Sequence, residues 1–243
     1  MLTALSFGLI SGFSLFLGAW VGTIFKFNQK TIAAFIAFGS GVLICALTFG
    51  LMEEAFSFGG FDAVIIGFLL GGLVFIIGDY LLHVFGGRKH RRLQMVKTKK
   101  EPNGLLITFG AVLDGIPESI ALGVTLFSGG GKGILMLAAI FLSNFPESIA
   151  SLNGLRQQKF SKTKIYGIWI IVGAVSAAFV VFSYLFLKDI DPDIIGALEA
   201  FAAGAILAML ADSMVPEAFE EGGFLIGALT VLGFLTAFVI SKV

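Results

Sequence analysis

Eight stretches of about twenty apolar residues, set apart by short polar joints, leave this chain few ways to fold, because about 20 such residues are what a helix needs to cross a bilayer. The stretches run 4–25, 32–52, 61–85, 105–128, 132–155, 165–187, 194–215 and 223–241. The first is read as a span rather than a signal peptide: its first charge, Lys26, follows it, so it lacks a basic leading region. The expectation is an all-α integral membrane protein whose residues 1–243 form a single transmembrane domain of eight helices. Composition agrees. Hydrophobic residues make up 57 % of the 243 and charged residues 13 %, against roughly 45–50 % and about 25 % in soluble domains. The 16 basic residues balance 16 acidic ones, and Cys45 is the single cysteine. A disordered chain, a basic nucleic-acid binder and a disulfide scaffold are thereby excluded; no nucleic acid is expected as a partner.

Lys and Arg set the expected orientation, since they accumulate in cytoplasmic loops. The joint between the first two spans carries Lys26 and Lys30. The 86–104 loop between the third and fourth carries Arg88, Lys89, Arg91, Arg92, Lys97, Lys99 and Lys100. The joint between the fifth and sixth carries Arg156, Lys159, Lys162 and Lys164. These make 13 of the 16 basic residues; the opposite side has Lys132, Lys188 and Lys242. The basic side is cytoplasmic, both termini lie outside, and the expected location is the cell membrane. The 86–104 loop serves as a topology anchor, with contact to anionic membrane lipids as the alternative.

Two repeats organise the spans. Residues 37–60 and 200–223 match at 9 of 24 positions without gaps, most clearly where EAFSFGG meets EAFEEGG. Leu113–Ala121 (LDGIPESIA) and Leu142–Ala150 (LSNFPESIA) match at 6 of 9. In each pair the two copies lie on spans of opposite direction. Such inverted repeats are a transporter architecture, with the site near the midplane where the repeats meet. The second pair carries chemistry. Glu118 and Glu147 sit well inside apolar spans, where a charge costs on the order of 2.5–3.5 kcal/mol, and no span interior offers a Lys or Arg to offset it. Protons, each other or a bound cation remain as partners. Asp114 precedes Glu118 by four residues and Ser143 precedes Glu147 by four, which puts each pair on one helix face. With Asn144 they form an all-oxygen candidate metal set: Asp114, Glu118, Ser143, Asn144 and Glu147. Pro117 and Pro146 cannot bond the carbonyls of Leu113 and Leu142, so each helix should bend and free an oxygen. Freed backbone at that depth requires protein or a polar cavity beside it.

These residues resemble the ZIP family of divalent metal transporters, whose fourth and fifth spans each carry a motif close to His-Asn-x-Pro-Glu-Gly. The resemblance covers the whole chain. It implies eight spans in a 3+2+3 arrangement, termini outside, and a metal site, often binuclear, on the fourth and fifth spans. Pro117, Glu118, Asn144, Pro146 and Glu147 match the motif. Asp114 and Ser143 stand where the family has His, Gly115 where it has Asn, and Ser119 and Ser148 where it has Gly. The sixth span has no acid, with Ser176 near that level. The implied function is uptake of Zn, Mn or Fe toward the cytoplasm, the metal being substrate, with no cofactor permanently bound. Losing both histidines hardens the site, which favours Mn²⁺ or Fe²⁺ relative to a His-bearing member. Proton and metal compete for the carboxylates, so uptake should weaken at low pH.

Two other readings remain open. One is an intramembrane enzyme acting on a lipid-linked phosphate, although Arg88, Arg91, Arg92 and Arg156 all lie in loops or at a span end. The other is a metal sensor that does not transport. Asp212 with Ser213, and Asp79 with His83, read either as an exit relay or as interface polar groups. Glu53, Glu54, Asp189, Asp191 and Asp193 make the outer side acidic, while Glu217 ends the seventh span inside. Trp20, Tyr80, Tyr166, Trp169 and Tyr184 read as interface aromatics. Gly67, Gly71 and Gly72, and the run Gly173, Ala174, Ser176, Ala177 and Ala178, read as helix contact faces, within the chain or in a homodimer.

Overall fold

The computed structural model describes residues 1–86, 104–128, 131–187 and 189–242. The basic 86–104 loop, apart from its two end glycines, and Lys188 lie outside the described residues, as does the side chain of His83. All regular structure among them is helical: α1 (Leu2–Ile24), α2 (Gln29–Cys45), α3 (Glu53–Gly86), α4 (Gly104–Ser128), α5 (Lys132–Gln157), α6 (Lys162–Leu187), α7 (Pro192–Met209), α8 (Val215–Gly222) and α9 (Leu225–Ser241). Two π-helical segments, Ala46–Met52 and Leu210–Met214, join α2 to α3 and α7 to α8.

Local chemistry starts several of these helices. Asn28 caps α2, its side chain accepting from the Thr31 N–H at 2.7 Å. Asp191 caps α7 through the Asp193 N–H at 2.9 Å, with Pro192 as the first helical residue; both devices place an acceptor or a missing donor where a helix has orphan N–H groups.

Six helices among the described residues are long and apolar enough to cross a membrane, and Leu225–Ser241 is a shorter apolar one. One of the six runs from Gln29 to Leu82, 54 residues. At 1.5 Å per residue that is about 80 Å, far beyond a hydrocarbon core of about 30 Å. Gly60 interrupts it with φ 61° and ψ −161°, a conformation reserved for glycine. Gly223 makes the matching break between α8 and α9, at φ 68° and ψ −146°. Numbering along the first repeat pairs Gly60 with Gly223 and lays the two π-helical segments over one another. The two copies thus share irregularities as well as residues.

Packing follows a regular scheme. The principal neighbours are α1 with α6, α2 with α9, α3 with α7, α1 and α2 with α5, α6 and α7 with α4, and α4 with α5. Exchanging the first three apolar segments for the last three, and α4 for α5, leaves this set unchanged. Small residues make the close crossings. A Cβ on Gly12 would lie 2.5 Å from the Gly173 carbonyl oxygen, and one on Gly173 would lie 2.7 Å from that of Gly12. The face of Gly67 and Gly71 is filled by Ala197 and Phe201 of α7, and Ala177 lies against Gly8. Both small-residue faces are therefore used within one chain.

Large apolar side chains cover the outside, among them Leu69, Phe109, Ile134, Ile171 and Val231, each 60 % or more exposed. Polar residues are drawn inward. This inverted distribution suits a hydrocarbon surround. Trp169 departs from its reading as an interface aromatic. It is fully buried, packed with Leu15, Ala19, Ile107, Leu152 and Val172, because α6 turns that face toward α1, α4 and α5 rather than toward a headgroup layer.

Candidate metal site within the membrane

Helices α4 and α5 cross next to each other, and each carries its proline inside the helix, at Pro117 and Pro146. All five candidate ligands are buried: Asp114 is 3 % exposed, Glu118 1 %, Ser143 0 %, Asn144 4 % and Glu147 2 %. Burial of three carboxyl groups and an amide in apolar helices is costly unless each is satisfied. The structure joins the two helices at this level. Ser143 Oγ lies 3.3 Å from Glu118 Oε1 and 3.0 Å from the Ile140 carbonyl oxygen. One hydroxyl proton cannot serve both acceptors at once, so the serine can turn toward either and can offer its lone pairs to a cation.

The freed carbonyl side of α5 has protein beside it. A Cβ on Gly39 of α2 would lie 2.9 Å from the Leu142 carbonyl oxygen, so α2 packs directly against this turn of α5. Ser176 reaches the site from α6, its Oγ 3.0 Å from where a Gly115 Cβ would stand. The other serines of the motif serve the helices themselves. Ser119 Oγ donates to the Gly115 carbonyl at 2.6 Å, and Ser148 Oγ donates to that of Phe145 at 3.0 Å. Bonds of this kind tend to bend helices.

Among the described residues, no three His, Cys, Asp or Glu side chains gather closely enough to hold one ion. Asp114, Glu118 and Glu147 therefore do not form a three-carboxylate cage in this conformation. What the chain brings together is Glu118 with Ser143; Asp114, Asn144 and Glu147 are buried on the same two helices.

Three further acids are buried in unexpected places. Glu54 and Glu217, corresponding positions of the first repeat, are 3 % and 2 % exposed. They follow the two π-helical segments rather than facing water at span ends. Glu54 Oε2 lies 3.4 Å from Lys132 Nζ at the start of α5. Glu199 on α7 is fully buried; the sequence signal was present, an acid inside an apolar span, but it had no repeated partner to draw the eye. Asp79 is largely buried as well, whereas Asp212 and Trp20 are exposed.

A bundle of membrane-length helices that turns large apolar side chains outward and buries acids on two proline-containing helices defines a multi-pass membrane protein with a polar interior. No family model matches the chain. It is similar, however, to proteins named zinc transporter ZupT. That of Salmonella heidelberg (strain SL476) is 27 % identical over 238 residues, covering 90 % of this chain and 88 % of the relative. Those of Salmonella newport (strain SL254) and Salmonella typhimurium (strain LT2) are 27 % identical over 230 residues, with 87 % and 85 % covered. These relatives are named as zinc transporters, which is consistent with the resemblance of this chain to the ZIP family.

Proposed function

We propose that the protein carries a divalent metal cation, zinc, manganese or iron, toward the cytoplasm through an oxygen-rich site on α4 and α5. The observation that carries this reading is the burial of Asp114, Glu118, Ser143, Asn144 and Glu147 on two neighbouring helices that each carry a proline inside the same motif. Buried carboxylates need a compensating charge, and a divalent ion supplies it when bound. The zinc-transporter relatives support the same class of cargo.

The architecture proposed with it is eight spans in a 3+2+3 inverted repeat, with both termini outside. Gly60 divides the longest helix into two spans, and the 17-residue Leu225–Ser241 is the eighth. Matched π-helical segments, matched glycine breaks and the packing scheme that survives exchange of the repeats support it. Movement of the outer six spans about α4 and α5 would open the site to each side in turn. Since the three acids do not share one ion in this conformation, binding requires α4 and α5 to shift or the Ser143 and Asn144 oxygens to complete the shell.

The test is metal flux into proteoliposomes with Zn²⁺, Mn²⁺, Fe²⁺ and Mg²⁺ in parallel. Saturable flux abolished in Glu118→Ala/Glu147→Ala is expected. Absence of flux with binding retained would make the protein a sensor, and absence of both would overturn the metal reading.

A further inference from the structure

A polar cavity of about 270 Å³ opens between α1 and α5, where α1 ends and α2 begins. Lys26, Arg156 and Asn153 supply its polar wall, and no carboxylate lines it among the described residues. Its remaining wall is apolar, with Phe25, Ile32 and Leu152. Arg156 is held in place: its Nη2 donates to the Gly22 carbonyl at 3.0 Å, one of the last carbonyls of α1, which has no partner within the helix. The other guanidinium donors remain to serve an occupant.

The cavity continues onto the hydrocarbon-facing surface. Phe25 both lines it and is 58 % exposed. Along α1, Phe13, Trp20 and Ile24 stand at spacings of seven and four, so they share one face; each is about half exposed. Two cations and an amide at the head of an apolar stripe fit an amphiphilic anion. We propose that this cavity binds the phosphate of an anionic phospholipid, with an acyl chain lying along α1. The shared chemistry is a phosphate ester. The lipid is favoured over a soluble phosphate because a small anion would leave the apolar wall and the stripe uncovered. Basic pockets between spans recognise such headgroups. The site does not depend on metal transport, since none of its polar residues belongs to the α4–α5 set.

The experiment measures binding to the full chain in a neutral detergent by thermal shift, with three additions: phosphatidylglycerol, phosphatidylcholine and glycerol 3-phosphate. Phosphatidylglycerol should stabilise the wild type at concentrations where the other two do not. Lys26→Gln and Arg156→Gln should each bind phosphatidylglycerol about fivefold more weakly. Gln at 156 retains a donor for the Gly22 carbonyl, and Lys26→Gln, which disturbs no hydrogen bond among the described residues, keeps the test intact if the Arg156 variant does not fold. Lys162→Gln, a charge loss outside the cavity, should bind as the wild type does. Equal stabilisation by phosphatidylcholine, unchanged affinity in Lys26→Gln, or an equal loss in Lys162→Gln would overturn the proposal. Glycerol 3-phosphate matching the lipid would reassign the cavity to a soluble phosphate.

Discussion

Replacing Gly12 by Ala tests a place where two spans meet backbone to backbone. The added methyl would stand 2.5 Å from the Gly173 carbonyl oxygen and 2.8 Å from its Cα, where ordinary contact begins at 3.4 Å. The shortfall is 3.4 − 2.5, about 0.9 Å, and no side chain is present to swing aside. Helices α1 and α6 must part. Overpacking of this kind costs about 1–3 kcal/mol, and alanine recovers up to about 1 kcal/mol through helix propensity. A net loss of about 1–2 kcal/mol lowers the melting temperature of a chain this long by about 2–8 °C. Gly173→Ala should behave alike, its shortfall being 3.4 − 2.7, about 0.7 Å. The double variant should lose less than the sum, because the first methyl has already separated the helices. Gly167 lies on the same α6 with nothing within 4 Å of a built Cβ, so Gly167→Ala should melt at or above the wild-type temperature. Thermal unfolding of purified protein in one detergent reads all four variants. Gly12→Ala melting no lower than wild type, or Gly167→Ala falling equally far, would refute the crossing as described.

Three further outcomes are expected. Gly60→Ala and Gly223→Ala each place a Cβ in a glycine-only conformation, so each should lower stability by about 1–3 kcal/mol in chemical denaturation; a loss at one position alone would break the equivalence of the two breaks. Lys132→Met strands the Glu54 carboxylate, which is buried beside it, and should cost about 1–3 kcal/mol. A double-mutant cycle with Glu54→Gln should recover most of that, and additivity would show the pair to be idle. Asp114→His with Ser143→His should move competition for binding toward Zn²⁺ over Mn²⁺, and an unmoved ratio would remove those two positions from the ligand shell.

The candidate site stood out in the sequence more than its surroundings for a reason particular to membranes. An acid and a proline inside an apolar run are conspicuous wherever they point, and the repeated PESIA string marked both helices before any geometry was known. Glu54, Glu217 and Trp169 were misplaced because position along a span does not say which way a face turns. In water, the polar side of a helix identifies the buried side. Here both sides are apolar, as lipid tails are as oily as a core, and only small residues betray a contact. The small residues of α3 and α6 were read correctly as contact faces on that ground, though not their partners, and those of α1 were missed.

Length and hydropathy by themselves determined that the chain is a membrane protein of long helices, and local spacing determined which oxygens share a face on α4 and α5. Only the tertiary structure decided which acids are sealed from water, that the motif serines bond their own helices, and that the π-helical segments and glycine breaks recur at matched places. The physical reason is range. Crossing length, proline bends and i, i+4 faces arise within a few turns of one helix. Burial, the approach of Ser143 to Glu118 and the Lys26–Arg156 cavity exist only where helices distant in sequence meet.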